Sequence, residues 1–302
     1  MPDFSLTDAA FEGFRFTRER PGSVAAWALV TFVFNMATGL LGALVGGEAL
    51  PAFQKAAGAS DISQILTLLL PAAPALLITV LMELAGCSLV YASALRSFMG
   101  IDPKVTFRVG GDERRLFLLL FGYGIIYWIF VSLTGIAFGL LENITEVFSP
   151  EAANILLNWV APAGMFCVPT FIIVRLSLAP VIAVDRKRVS LKESWVSTKG
   201  HFWPLAGSLL LSIVCFLIVV FVALMLVMIL TELASIGTHG AIAKPGDLFS
   251  PDPTAWPAIV FGEIVTAVCI GLLLPVVLGP LVRAYQAYDA PDPIAPAAAV
   301  KA

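Results

Sequence analysis

Residues 175–204 read RLSLAPVIAVDRKRVSLKESWVSTKGHFWP, a polar and basic interval set between two long apolar runs. Arg175 lies inside the first run, which closes on the basic triplet Arg186, Lys187 and Arg188. Ser190 followed by Glu193 has capping-box spacing, in which the serine hydroxyl accepts the third backbone N–H of a new helix, and so marks a short helix starting there. Leu191, Trp195 and Phe202 fall on one side, while Lys192 and Lys199 are placed to reach lipid phosphates; this helix is expected to lie in the membrane interface. Gly200 then frees the chain to turn into the next run at Pro204. Lys192, Trp195, Lys199 and Trp203, together with the triplet, are the candidate lipid-interface residues.

The runs on either side are two of six, at about 23–47, 75–95, 116–141, 159–184, 204–230 and 256–282, and each reaches the ~20 residues that cross hydrocarbon. With 59% hydrophobic residues, 13% charged and a mean hydropathy of +0.93, the chain is a multi-spanning membrane protein rather than a soluble domain of 302 residues. Backbone groups in lipid must be satisfied within their own segment, so all six runs are expected to be helices. The expected fold is therefore all-α: six transmembrane helices as three hairpins, with amphipathic interfacial helices on the cytoplasmic side. Residues 1–288 form a single domain in this reading.

Orientation follows from the basic residues. Arg15, Arg18, Arg20, Arg96, Lys104, Arg108, Arg114, Arg115, Arg186, Lys187, Arg188, Lys192, Lys199, Arg283 and Lys301 all fall on one side of that topology, leaving of the 18 basic residues only Lys55 and Lys244 opposite and Arg175 within a span. The positive-inside rule places both termini in the cytoplasm. A net charge of -3 argues against nucleic acid as a partner. Cys87, Cys167, Cys215 and Cys269 lie within spans without short spacing, which points to packing rather than to disulfides or a zinc site.

Residues 1–22 are expected to form an interfacial helix capped by Ser5 or Asp8, with Leu6, Ala10 and Phe14 as its apolar stripe and Pro21-Gly22 as its end. Gly42 with Gly46, and Gly135 with Gly139, have GxxxG spacing. The stretch DISQILTLLL at 61–70 precedes Pro71 and Pro74 and is expected to be a short separate helix on the outer face, a re-entrant half-helix being the alternative. Pro162, Pro169 and Pro180 in span four, and Pro275 and Pro280 in span six, are expected to kink those helices, since each frees a carbonyl four residues earlier. Asn143-Ile144-Thr145 is a glycosylation sequon. The tail at 289–302 is rich in Pro and Ala and is expected to be disordered. Recurring signals, Ser149-Pro150-Glu151 with Ser250-Pro251-Asp252 and Leu178-Ala179-Pro180 with Leu278-Gly279-Pro280, suggest parallel pseudo-repeats.

No metalloprotease, nucleophile-elbow, P-loop or dinucleotide motif occurs, and neither His201 nor His239 has a partner suggested by spacing. No catalytic residue, metal or cofactor is expected. The polar residues inside the spans carry more weight: Glu83, Arg175 and Glu263 each cost ~2.5–3.5 kcal/mol at a helix centre unless paired or hydrated. Arg175 lies ~13 Å from the end of its span, counted from Asp185. An ion pair between Glu83 and Arg175 joining spans two and four is the expected compensation, with Asn35 and Glu263 completing a candidate buried polar network. A lipid-phosphate or proton path through these groups is the functional alternative.

The 175–204 stretch, RLSLAPVIAV, a basic turn, then SLKESWVSTKGHFW, resembles uncharacterised six-span bacterial membrane proteins related to the membrane domain of glycerophosphoryl diester phosphodiesterase, and FEGFRFTRERPGSVAAWAL at 11–29 looks like the start of such proteins. The resemblance implies a six-helix domain in the bacterial inner membrane. It implies no phosphodiesterase activity, because the soluble catalytic domain has no counterpart in this chain. The functional expectation is a non-enzymatic inner-membrane protein, an accessory or scaffold unit whose partners are membrane lipids, anionic on the cytoplasmic side; the alternative is a small-molecule or lipid transporter using the charges in spans two, four and six. No protein partner is assigned.

Overall fold

Apolar runs of this length become helices because lipid offers no partner to a free backbone N–H or C=O. The computed structural model describes residues 5–58, 62–102, 105–148, 155, 161–235 and 256–288, and these contain helices and no strand. In chain order the helices are α1 (Leu6–Glu19), α2 (Pro21–Gly46), α3 (Ala49–Gly58), α4 (Ile62–Phe98), α5 (Gly111–Phe148), α6 (Ala161–Leu176), α7 (Ala179–Asp185), α8 (Leu191–Ser197), α9 (Phe202–Ser235) and α10 (Trp256–Tyr288). Six stretches are long and apolar enough to span a membrane: Pro21–Gly46, Ser63–Phe98, Gly111–Phe138, Cys167–Asp185, Phe202–Val222 and Val260–Tyr288. The chain is an all-α protein with the spans expected from its sequence. The repeat signals at 149–151 and 250–252, His239 and the tail at 289–302 lie outside the described residues.

The 61–70 segment is not a separate helix. Residues 62–98 form one continuous α4 running through Pro71 and Pro74. Tertiary packing outweighs the missing hydrogen bonds, because α3 folds back along this part of α4 and the two bury Leu50, Ala56, Ala72 and Ala75 between them. Gly46 permits that approach: a Cβ there would lie 2.9 Å from the Cβ of Ala75 and 2.6 Å from that of Leu50. Gly135, by contrast, faces open space. Helix α10 likewise runs unbroken through Pro275 and Pro280, whereas span four is interrupted at Ser177-Leu178, just before Pro180.

Helices α2, α4 and α10 pack together, with α5 against α4 and α9 against α10. Burial concentrates at the end of the bundle that carries the basic connections, hereafter the basic end. There Trp27, Leu95, Leu116, Leu178, Ile182 and Leu278 are fully buried in one cluster, while residues 124–129 of α5, farther from that end, are exposed. Helix α1 belongs to this end. Ser5 caps it, its Oγ accepting the Asp8 N–H at 3.3 Å, and it lies across α9 and α10 with Ala9, Ala10 and Gly13 buried. Ser212 on α9 donates to the Ala10 carbonyl at 3.0 Å, and the ring of Phe16 stacks on Trp27 and Phe98 with centroids 5.7 and 4.0 Å away.

Candidate functional site

The site grows from the break in span four. Pro180 has no N–H to offer the carbonyl of Leu176, and the hydroxyl of Tyr123 on α5 donates to that oxygen instead, at 2.6 Å. The neighbouring Arg175 carbonyl accepts from Ser194 at 2.9 Å and from Thr198 at 3.2 Å, both fully buried side chains. Helix α8 is thereby stitched to the break. Ser190 caps it as its spacing predicts, accepting the Glu193 N–H at 3.3 Å, and Gly200 turns the chain into α9 at φ 86°.

This stitching brings Arg175 beside α8, while α7 is buried in protein from Ala179 to Val184. Its guanidinium carbon lies 5.3 Å from the ring centroid of Phe171, 5.5 Å from Trp195 and 5.8 Å from Phe202. Three ring faces partly compensate the charge through their quadrupoles. Nε and Nη1 of Arg175 are buried and have no hydrogen-bond partner. The expected ion pair with Glu83 is absent, and the reason is topological: α6 packs against α5, α8 and α9, whereas α4 meets span four through α7. Glu83 is exposed on α4.

Arg175 lines a cavity of about 1310 Å³ bounded by α5, α6 and α9 and floored by Val277 and Leu281 of α10 and Tyr91 of α4. The α9 lining runs from Phe202 to Ile213, which at ~1.5 Å per residue is about 16 Å, close to half of a ~30 Å hydrocarbon core. Arg175, Phe202 and Trp203 lie at the basic end of this lining, and Cys167, Phe130 and Ile213 at its deep end. The walls are otherwise apolar or aromatic apart from Ser177, Thr170 and three tyrosines.

The other predicted residues divide into separate groups. Asn35 on α2 donates to Glu263 on α10 at 3.1 Å, and Glu83 is near enough to Glu263 to interact electrostatically, so three of the four network members gather without Arg175. Of the interface residues, Arg186 and Arg188 both bind Glu193, at 2.9 and 2.7 Å, and Lys187 reaches across to Asp112 at 3.1 Å. Glu193 thus takes two of the basic triplet while its carboxylate also hydrogen-bonds with the Ser190 side chain. Lys192 and Lys199 are exposed and have no ion pair among the described residues, and Trp203 is 80% exposed at the cavity's rim. His201 stacks on Tyr288 at 4.2 Å between centroids.

One charged centre escaped the reading from sequence. Arg96, counted there only as a basic loop residue, is fully buried at the end of α4. Its guanidinium contacts Glu113 at 2.6 Å, Asp102 at 3.0 Å and Asp112 at 3.6 Å, and donates to the Thr106 carbonyl at 3.1 Å. The Thr106 hydroxyl, followed by the guanidinium groups of Arg108 and Arg96, holds the Asp102 carboxyl below the usual carboxylate range. The available signal was the acidic pair Asp112-Glu113 opening a helix shortly after an arginine closes one; its pairing depends on the intervening turn. Among the described residues no group of His, Cys, Asp or Glu is arranged to hold a metal ion.

No family model, no curated protein and no solved structure matches the chain.

Proposed function

We propose that this chain is a non-enzymatic integral protein of the bacterial inner membrane, an accessory or scaffold unit that organises membrane lipid, with both termini and the 185–203 connection in the cytoplasm. The observation that carries the reading is the cavity between α5, α6 and α9: about 1310 Å³, apolar along its walls, and about one leaflet deep. A soluble substrate would find few polar groups there, whereas acyl chains match the lining. The resemblance of residues 175–204 to uncharacterised six-span bacterial membrane proteins related to the membrane domain of glycerophosphoryl diester phosphodiesterase supports the same placement. Fifteen of the 18 basic residues lying on one side of the topology support the orientation.

Gly124 lines the cavity and has open space where a side chain would begin. Gly124→Trp is therefore expected to fold, to keep its elution volume, and to lose most of the lipid that copurifies with the unaltered chain, as counted by native mass spectrometry. Equal lipid on the two proteins would end the cavity reading. For orientation, a single cysteine at Ser197 in a cysteine-free background is expected to resist an impermeant thiol reagent added to intact cells and to react once the cells are opened. Labelling from outside would reverse the topology.

A further inference from the structure

We infer that Arg175 binds the phosphodiester of an anionic glycerophospholipid whose acyl chains occupy the cavity between α5, α6 and α9. The inference rests on the cavity reading above and adds to it the headgroup class and the residue that selects it.

The cavity has the polarity of a lipid. Arg175, the one cation among the described lining residues, lies at the basic end, beside Trp203 and the helix that carries Trp195, and the lining becomes apolar toward Cys167 and Ile213. Tryptophan marks the level of lipid headgroups. A lipid entering with its chains toward the deep end therefore brings its phosphate to the guanidinium.

The arginine also lacks an anion of its own. Nε and Nη1 are buried without hydrogen-bond partners, Arg175 forms no ion pair among the described residues, and the nearest compensation is the three rings of Phe171, Trp195 and Phe202. Rings hold a cation in place but accept no hydrogen bond from its in-plane N–H groups. A phosphodiester supplies a full negative charge with oxygens in the geometry that a guanidinium fork matches. A zwitterionic lipid would carry its own ammonium toward the same guanidinium, which forms no ion pair among the described residues. Like charges there disfavour it, and a net anionic lipid is preferred.

The test uses the full-length protein, stripped of lipid in detergent and titrated with phosphatidylglycerol, phosphatidylethanolamine or diacylglycerol, bound lipid being counted by native mass spectrometry. The unaltered chain is expected to bind one phosphatidylglycerol roughly tenfold more tightly than phosphatidylethanolamine and to bind diacylglycerol weakest. Arg175→Gln is expected to weaken phosphatidylglycerol ~10- to 100-fold, the scale of one charge-assisted hydrogen bond, and to leave diacylglycerol unchanged. Should Arg175→Gln not fold, Arg175→Lys keeps the charge and is expected to keep the order of the three lipids at lower affinity. Equal affinity of the unaltered chain for all three lipids would overturn the inference, as would undiminished phosphatidylglycerol binding by Arg175→Gln or a lost order in Arg175→Lys. In each of those cases lipid displaced by Gly124→Trp would still uphold the cavity reading, so the two fail separately.

Discussion

Arg96→Ala is expected to lower the stability of the folded protein by ~3–5 kcal/mol, the scale of breaking a buried ion pair from one side. The arginine is fully buried, and its removal strands Glu113, whose side chain is only 5% exposed, while Asp112 keeps Arg115 at 2.9 Å and Lys187 at 3.1 Å. Both acids open α5, where the helix N-terminus gives them some support, and Glu113 also accepts the Gly110 N–H at 3.0 Å. That support is worth less than the lost cation. Asp112 also holds Lys187, which ties the α4–α5 turn to the connection that follows α7. Thermal unfolding in detergent, read by intrinsic fluorescence and by aggregation, checks this, and an unchanged midpoint would show that the cluster carries no stability. Adding Glu113→Gln removes the stranded charge and is expected to restore part of the loss. The same corner sets an acid limit. Because Asp102 titrates below its ordinary value in the folded chain, its contribution is present above the unfolded value of ~3.9 and is lost as the pH falls through the folded one.

Gly279→Val is expected to release α1 from the bundle. At this crossing α1 and α10 touch backbone to backbone: a Cβ on Gly279 would lie 2.6 Å from the Gly13 nitrogen, and one on Gly13 would lie 2.5 Å from the Val276 Cα and against the Pro275 carbonyl. Neither obstacle is a flexible side chain, so the helices must separate. Separation forfeits the Ser212 hydrogen bond to Ala10, the stacking of Phe16 on Trp27 and Phe98, and the Glu12–Arg283 contact at 3.1 Å. Overpacking of this kind costs ~1–3 kcal/mol, and more where backbone is involved. The readout is trypsin cleavage at Arg15 and Arg18, expected to accelerate at least tenfold, ~1.4 kcal/mol of local opening. Gly22→Ala, where nothing lies within 4 Å, is the control and is expected to cut like the unaltered chain. If Gly279→Val were cut no faster than that control, the close crossing would not be what holds α1.

What is readable from sequence here depends on local chemistry. The six spans follow from the inability of lipid to hydrogen-bond backbone, the start of α8 from the hydroxyl of Ser190, and the turn at Gly200 from its lack of a side chain. The break before Pro180 follows equally from a missing N–H, although the donor that answers it, Tyr123, lies 53 residues away. Each of these is settled within a few residues, so the residues suffice.

Pairing is a different matter. Pro71 and Pro74 carry the same local signal as Pro180, yet α4 continues through them because α3 returns along it and buries Ala72 and Ala75. Glu83 and Arg175 looked like partners because opposite charges in two spans of similar depth attract. Depth counted along a chain omits which helices touch, and α7, buried in protein, sets Arg175 beside α8 among three aromatic rings. Arg96 reverses the case, a loop-end arginine by its position and a fully buried one once Asp102, Asp112 and Glu113 close around it. The amino acids by themselves determined an all-helical membrane chain, its spans, its basic end and its caps. Only the tertiary structure decided which charge met which partner and that a lipid-sized cavity opens beside Arg175, because a charge is stabilised by whatever long-range packing brings within a few ångströms, and spacing along the chain does not record that.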